Sequence, residues 1–157
     1  MIKQYSGWTA EDLLIFRCLR STLNVDEQPS LSIESGLDWE RVVGQAVDGG
    51  VAPLVYDCLR EDSRVPEATR SELRSAYFRT TAENIRYLEF AGKLFSTCND
   101  WCIDVIALRG IAFAESLYSE IALRPISDID VLIRPVDEGR LASLLQGLGY
   151  WPVSGHP

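Results

Sequence analysis

The 157-residue sequence predicts an α+β protein, and a change of pattern along the chain carries that reading. Through residue 100 the apolar positions recur at helical spacing, whereas from residue 101 short apolar runs alternate with helical stretches. The expected organisation is a helical region over residues 1–100 followed by a second region over 101–157. With 46% hydrophobic residues, the chain can bury one substantial core.

In the helical region, Thr9 and Asp12 stand at capping-box spacing ahead of Leu13, Leu14, Phe16, Cys18 and Leu19. A first helix is therefore expected from about Ala10 to Leu23. The polar, proline-containing "NVDEQPSLSIESG" that follows has no period and reads as a loop. Asp38 caps "WERVVGQAV", which the Gly49-Gly50 pair stops, and Pro53 falls where the first turn of a helix tolerates it in "APLVYDCLRED". From Pro66 to about Trp101 the absence of further proline and the recurrence of Leu73, Tyr77, Ile85, Leu88 and Leu94 predict one long helix or two abutting ones. After Cys102 the order "IDVIAL", "GIAFAESLYS", "DIDVLI", "DEGRLASLLQGLG", "YWPV" reads as strand, helix, strand, helix and the start of a further strand.

Composition narrows the function. No stretch approaches the roughly 20 apolar residues of a membrane span, and the first residues lack the layout of a secretory signal, so a cytoplasmic protein with no membrane partner is expected. Cys18, Cys58, Cys98 and Cys102 have neither zinc-ribbon spacing nor neighbouring histidines, and read as reduced, packed thiols. A net charge of −8 argues against a long nucleic-acid duplex as partner, because such binding rests on Lys and Arg against phosphates. A small nucleotide needs only a local cation and remains compatible.

The stretch "RPISDIDVLIRP" places Asp128 and Asp130 two residues apart at the start of a strand. Alternation in a strand would set both carboxylates on one face, with Ile129, Val131 and Ile133 on the other. At a separation of about 6–7 Å they would repel by roughly 2–3 kcal/mol at an effective dielectric near 20. A divalent cation would offset this, and Mg²⁺ is commonly held by one or two carboxylates with substrate phosphates completing its shell. A DxD in so acidic a chain is close to what chance supplies, and by itself it favours the reading in which Asp128 closes the turn after Pro125 and Asp130 is solvated at a strand end. Arg109 and Gly110 join the first strand to a helix, where backbone N–H groups and a basic side chain could cradle phosphates. An ordinary glycine turn with a solvated arginine fits the same residues.

The string "VIALRGIAFAESLYSEIALRPISDIDVLIRPVDEGRLASLLQGLGY" resembles the core of the uncharacterised nucleotidyltransferase family, within the polymerase-beta-type superfamily. Gly110, Ala112, Tyr118, Arg124, Asp128, Asp130, Gly149 and Tyr150 carry the likeness, and "GGVAPLVYDCL" is similar to that family's helical N-terminal part. The resemblance implies an N-terminal helical region followed by an incomplete β-α-β-α-β nucleotidyltransferase core. It further implies that Asp128 and Asp130 are catalytic carboxylates and ligands of Mg²⁺ (or Mn²⁺). Gly110, with Arg109 where the family usually has Lys, would belong to the nucleotide-phosphate loop. Arg124 would position a phosphate or the strand, or would neutralise the aspartates. Members also take a third carboxylate from a later strand, which leads to the expectation that this chain is the front portion of a longer protein. His156 is expected to dangle.

The expected function is nucleotidyl transfer from an NTP to an unknown acceptor, a protein or small molecule rather than a long nucleic acid. The alternative is a non-catalytic nucleotide-binding or regulatory module that retains the fold, and a helical interaction domain with an incidental DxD is a third possibility.

Overall fold

A computed structural model describes residues 7–23, 31, 33–116 and 118–152. Helix α1 (Ala10–Thr22) opens on the anticipated capping box. The Thr9 N–H donates to Asp12 Oδ2 at 2.9 Å, and the Asp12 N–H donates to Thr9 Oγ1 at 3.3 Å. Hydrogen bonds from Thr9, with Gln45 adding another, hold the Asp12 carboxyl below its ordinary range. Asp38 caps α2 (Trp39–Asp48), and Pro53 lies in the first turn of α3 (Ala52–Leu59).

The long apolar stripe forms one continuous helix, α4 (Glu67–Asp100), of 34 residues. Its first half contributes Leu73 and Ala76 to a core with Leu14, Cys18, Val42, Val55 and Leu59, drawn from α1 to α3. Its last turns carry Leu94 and Cys98 into a second cluster with Ile103, Leu141 and Leu144. A single helix thus supports both cores.

Strand β1 (Val105–Ala107) pairs antiparallel with β2 (Val131–Ile133), matching Val105 to Ile133 and Ala107 to Val131. Helix α5 (Arg109–Ser116) follows β1, and a 3-10 turn (Pro135–Asp137) leads from β2 into α6 (Glu138–Gly147). Val105, Val131 and Ile133 pack against residues of α4 and α6, so the sheet has one covered face. Its other face carries the cross-strand pair Ile106 and Leu132, 59% and 55% exposed. At the far end of β2, buried Asp137 accepts from Arg134 Nε at 3.1 Å and Arg140 Nη1 at 2.8 Å. Arg140 also donates to the Trp101 carbonyl, which ties α6 to the end of α4.

The α+β class holds, with two corrections. The strand expected over "DIDVLI" is hydrogen-bonded as β2 only from Val131, so Asp128 lies ahead of the ladder and alternation alone does not fix its aim. The strand expected at "YWPV" does not begin at Tyr150: Tyr150, Trp151 and Pro152 have no regular structure. The reason is a helix stop, in which Gly149 at φ +89° lets the Gly149 N–H reach Gln146 O and the Tyr150 N–H reach Leu145 O. That turn lays Tyr150 on Phe90 of α4, ring centroids 4.5 Å apart. Val153 and His156 lie outside the described residues. Among the described residues, Cys18, Cys58, Cys98 and Cys102 are free, and Cys102 is exposed rather than packed. No helix among them is long and apolar enough to cross a membrane.

Candidate functional site

The register of the sheet brings the two ends of the predicted site together. The Leu108 N–H donates to the Asp130 carbonyl at 2.9 Å, one step past the last paired residues, and so sets Asp130 against the start of α5. Arg109, the first residue of α5, has φ +51°. Its Nη1 lies 3.3 Å from Asp130 Oδ2. That distance makes an ion pair, but Oδ2 is buried and receives no aligned hydrogen bond. The Arg109 side chain is 76% exposed, so this is a surface pair, of the kind worth about 0–1 kcal/mol.

Asp128 is exposed, and the Ser127 hydroxyl donates to its Oδ1 at 3.4 Å. Gly110 is buried in the first turn of α5. A Cβ there would meet Ile126 Cγ2 at 3.7 Å, an ordinary contact, so the fold itself does not demand glycine at this position. Arg124 is half-buried and its Nε is buried without a partner. Among the described residues no ion pair joins Arg124 to either aspartate. Arg109 takes the neutralising position.

Two residues of this region escaped sequence reading. Asn84, fully buried on α4, donates through Nδ2 to the carbonyls of Ile121 and Arg124, and its Oδ1 accepts from the Ile126 N–H at 2.9 Å. Tyr87, one turn further, donates to the Ser127 carbonyl at 2.8 Å. The available signal was positional: Asn84 lies seven residues from both Tyr77 and Ala91 on the buried stripe of α4, where an amide is out of place unless it serves other polar groups.

A wide groove beside the candidate site does not include the carboxylates. A groove of about 990 Å³ between α4 and residues 125–129 is lined by Arg86, Tyr87, Phe90, Lys93, Ile129 and Tyr150 among others, and by neither Asp128 nor Asp130. Asp130 belongs instead to the junction between the sheet and the start of α5.

For a divalent cation the donor set is two carboxylates, one carrying a buried oxygen short of hydrogen bonds. Among the described residues no group of three or more His, Cys, Asp or Glu is placed to hold a metal. Two carboxylates fit a Mg²⁺ whose remaining shell comes from phosphates and water, and they fit a dedicated all-protein cage poorly.

No curated protein and no solved structure matches the chain. The family described as Uncharacterised nucleotidyltransferase matches residues 35–157, which include α2 to α6 and every candidate residue placed above. By that match over most of its length, the chain belongs to the uncharacterised nucleotidyltransferase family.

Proposed function

We propose that the chain carries a polymerase-beta-type nucleotidyltransferase site that binds a divalent cation with an NTP and directs nucleotidyl transfer to an acceptor. The observation that supports it most is the buried, hydrogen-bond-deficient Oδ2 of Asp130, held 3.3 Å from Arg109 at the start of a helix. Asp130 and Asp128 would hold Mg²⁺ or Mn²⁺, which supplies charge neutralisation to the phosphates in such reactions. The Arg109 guanidinium and the first N–H groups of α5, at Gly110 and beyond, would bind the phosphate oxygens. Arg109 is mostly exposed and can leave Asp130 for a phosphate when a cation takes its place. The unpartnered Nε of Arg124 gives that side chain a donor to spare for the same anion. An overall charge of −8 favours a protein or small-molecule acceptor over a long nucleic acid. The free thiols fit a reducing, cytoplasmic setting.

The test is calorimetric titration of an NTP with Mg²⁺ into the parent and Asp130→Asn proteins, with transfer of labelled nucleotide followed in parallel. Cation-dependent NTP binding that weakens about ten- to a hundredfold in Asp130→Asn is expected for loss of a charged ligand. Equal binding in both proteins would sink the site. Binding without transfer to any acceptor would assign the chain to a nucleotide-binding module of the same fold.

A further inference from the structure

Residues 118–130 contain no described helix or strand, yet they deliver both carboxylates. On the sheet side, the Leu108 N–H grips the Asp130 carbonyl. Ahead of Asp128, the backbone is gripped from α4. We propose that Asn84 and Tyr87 are positioning residues for the two aspartates, holding the backbone before Asp128 so that the carboxylates keep the separation and aim a cation requires. The inference rests on the site proposed above and adds residues that touch neither cation nor nucleotide.

Three observations carry it. Asn84 is 0% exposed and uses both ends of its amide on backbone groups, the carbonyls of Ile121 and Arg124 and the N–H of Ile126. Tyr87 extends the same grip to the Ser127 carbonyl, one residue before Asp128. The segment has no ladder of its own for the groups that face Asn84, and leaving the buried amide and the Ile126 N–H unpaired would be costly, so the amide acts as the ladder the segment lacks. Second, the grips bracket the carboxylates: Ser127 is held on one side and Asp130 on the other, with Asp128 and Ile129 between. Third, Ile129 is half-buried and packs against the cluster of Ala91, Ile111, Ala114 and Ile126, so the residue between the aspartates is anchored at the edge of a core, which limits the twist available to its neighbours. Cation affinity depends on carboxylate placement at the sub-ångström level, and supporting residues that fix such placement change affinity when removed.

The experiment titrates Mn²⁺ into the full chain, reading free Mn²⁺ by electron paramagnetic resonance, and measures melting temperature and amide exchange at Ser127 to Asp130 for each protein. Tyr87→Phe removes a single oxygen from a half-buried side chain. It should melt within a few degrees of the parent, exchange faster at Ser127 to Asp130, and bind Mn²⁺ about fivefold more weakly, the worth of one ordinary hydrogen bond. Asn84→Leu should weaken Mn²⁺ binding by about tenfold or more if it folds. Tyr77→Phe is the control, because its hydroxyl donates to Glu120 Oε2 at 2.7 Å on the same helix but well ahead of the aspartates. It should lower the melting temperature and leave Mn²⁺ affinity unchanged. Equal Mn²⁺ affinity in folded Tyr87→Phe and the parent, or equal losses in Tyr87→Phe and Tyr77→Phe, would reduce the role to general stability and overturn the proposal. If the parent and Asp130→Asn hold Mn²⁺ equally, the cation site itself fails; unchanged exchange at Ser127 to Asp130 in Tyr87→Phe then overturns the positioning role, and faster exchange upholds it.

Discussion

An arginine at φ +51° occupies backbone space that costs a non-glycine residue on the order of 1 kcal/mol, and Arg109 recovers little of that from an exposed ion pair. Strain of this kind persists where a side chain is wanted for something other than the fold. Arg109→Gly is therefore expected to be neutral in denaturant unfolding, or stabilising by up to about 1 kcal/mol, while weakening NTP binding about tenfold through loss of a charge-assisted contact. A stability loss beyond about 1 kcal/mol would mean that Arg109 serves the fold. Gly110 supplies the complementary measurement. Its Cβ would meet Ile126 at 3.7 Å, so Gly110→Ala should fold as well as the parent. Any fall in its NTP affinity then reports phosphate approach to the start of α5, and an unchanged affinity moves the phosphates elsewhere.

Three helices end in the same way, and only two of the endings were legible. In α2, Gly50 at φ +65° lets its own N–H reach Val47 O and the Val51 N–H reach Ala46 O, and α6 repeats the pattern at Gly149. In α4 the pattern recurs with Cys102 at φ +52°, its N–H on Asn99 O and the Ile103 N–H on Cys98 O. The Gly49-Gly50 pair announced the end of α2. At α6 the same glycine signal was present, but the apolar run after it was read as a strand, although the stop turns Tyr150 back onto Phe90. No glycine marks the end of α4, which was found only from the change of period. Cys102→Gly should raise stability by about 1 kcal/mol by relieving the left-handed cysteine, read as a shifted denaturant midpoint with unchanged slope. No gain would show that the surrounding turn fixes that conformation without strain. The site divides on similar lines. In the proposed site, Asp128, Asp130, Arg109 and Gly110 were open to sequence reading, through residue type, spacing and the family likeness. Asn84 and Tyr87 were not, because they bind backbone carbonyls and an N–H, which leave no mark in the identity of the residues they hold.

At the scale of the whole molecule, α4 runs through both cores, and Tyr77 sits beside the first of them, where α4 meets the segment that leads to the aspartates. Its ring packs with Leu54 of α3 and with Ala122 and Leu123 of the segment leading to the aspartates, while its hydroxyl donates to Glu120. Burial, reinforced by the Glu120 carboxylate, pushes the Tyr77 phenol up from 10.0 to about 12. The folded protein therefore keeps a proton that the unfolded chain releases above about pH 10. A raised pKa contributes stability that is fully present below the unfolded value and is lost as pH climbs toward the folded one, so the stability that Tyr77 contributes should fall between about pH 10 and pH 12. Tyr77→Phe lacks the ionisation. It should start less stable at neutral pH, having lost the hydroxyl bond to Glu120, and the gap to the parent should narrow steadily through that alkaline window. Denaturant unfolding of both proteins in steps from about pH 8 to pH 12 measures the gap directly. Two parallel curves would show that the phenol titrates alike folded and unfolded, and that the packing of Tyr77 against Leu54, Ala122 and Leu123 leaves it open to water.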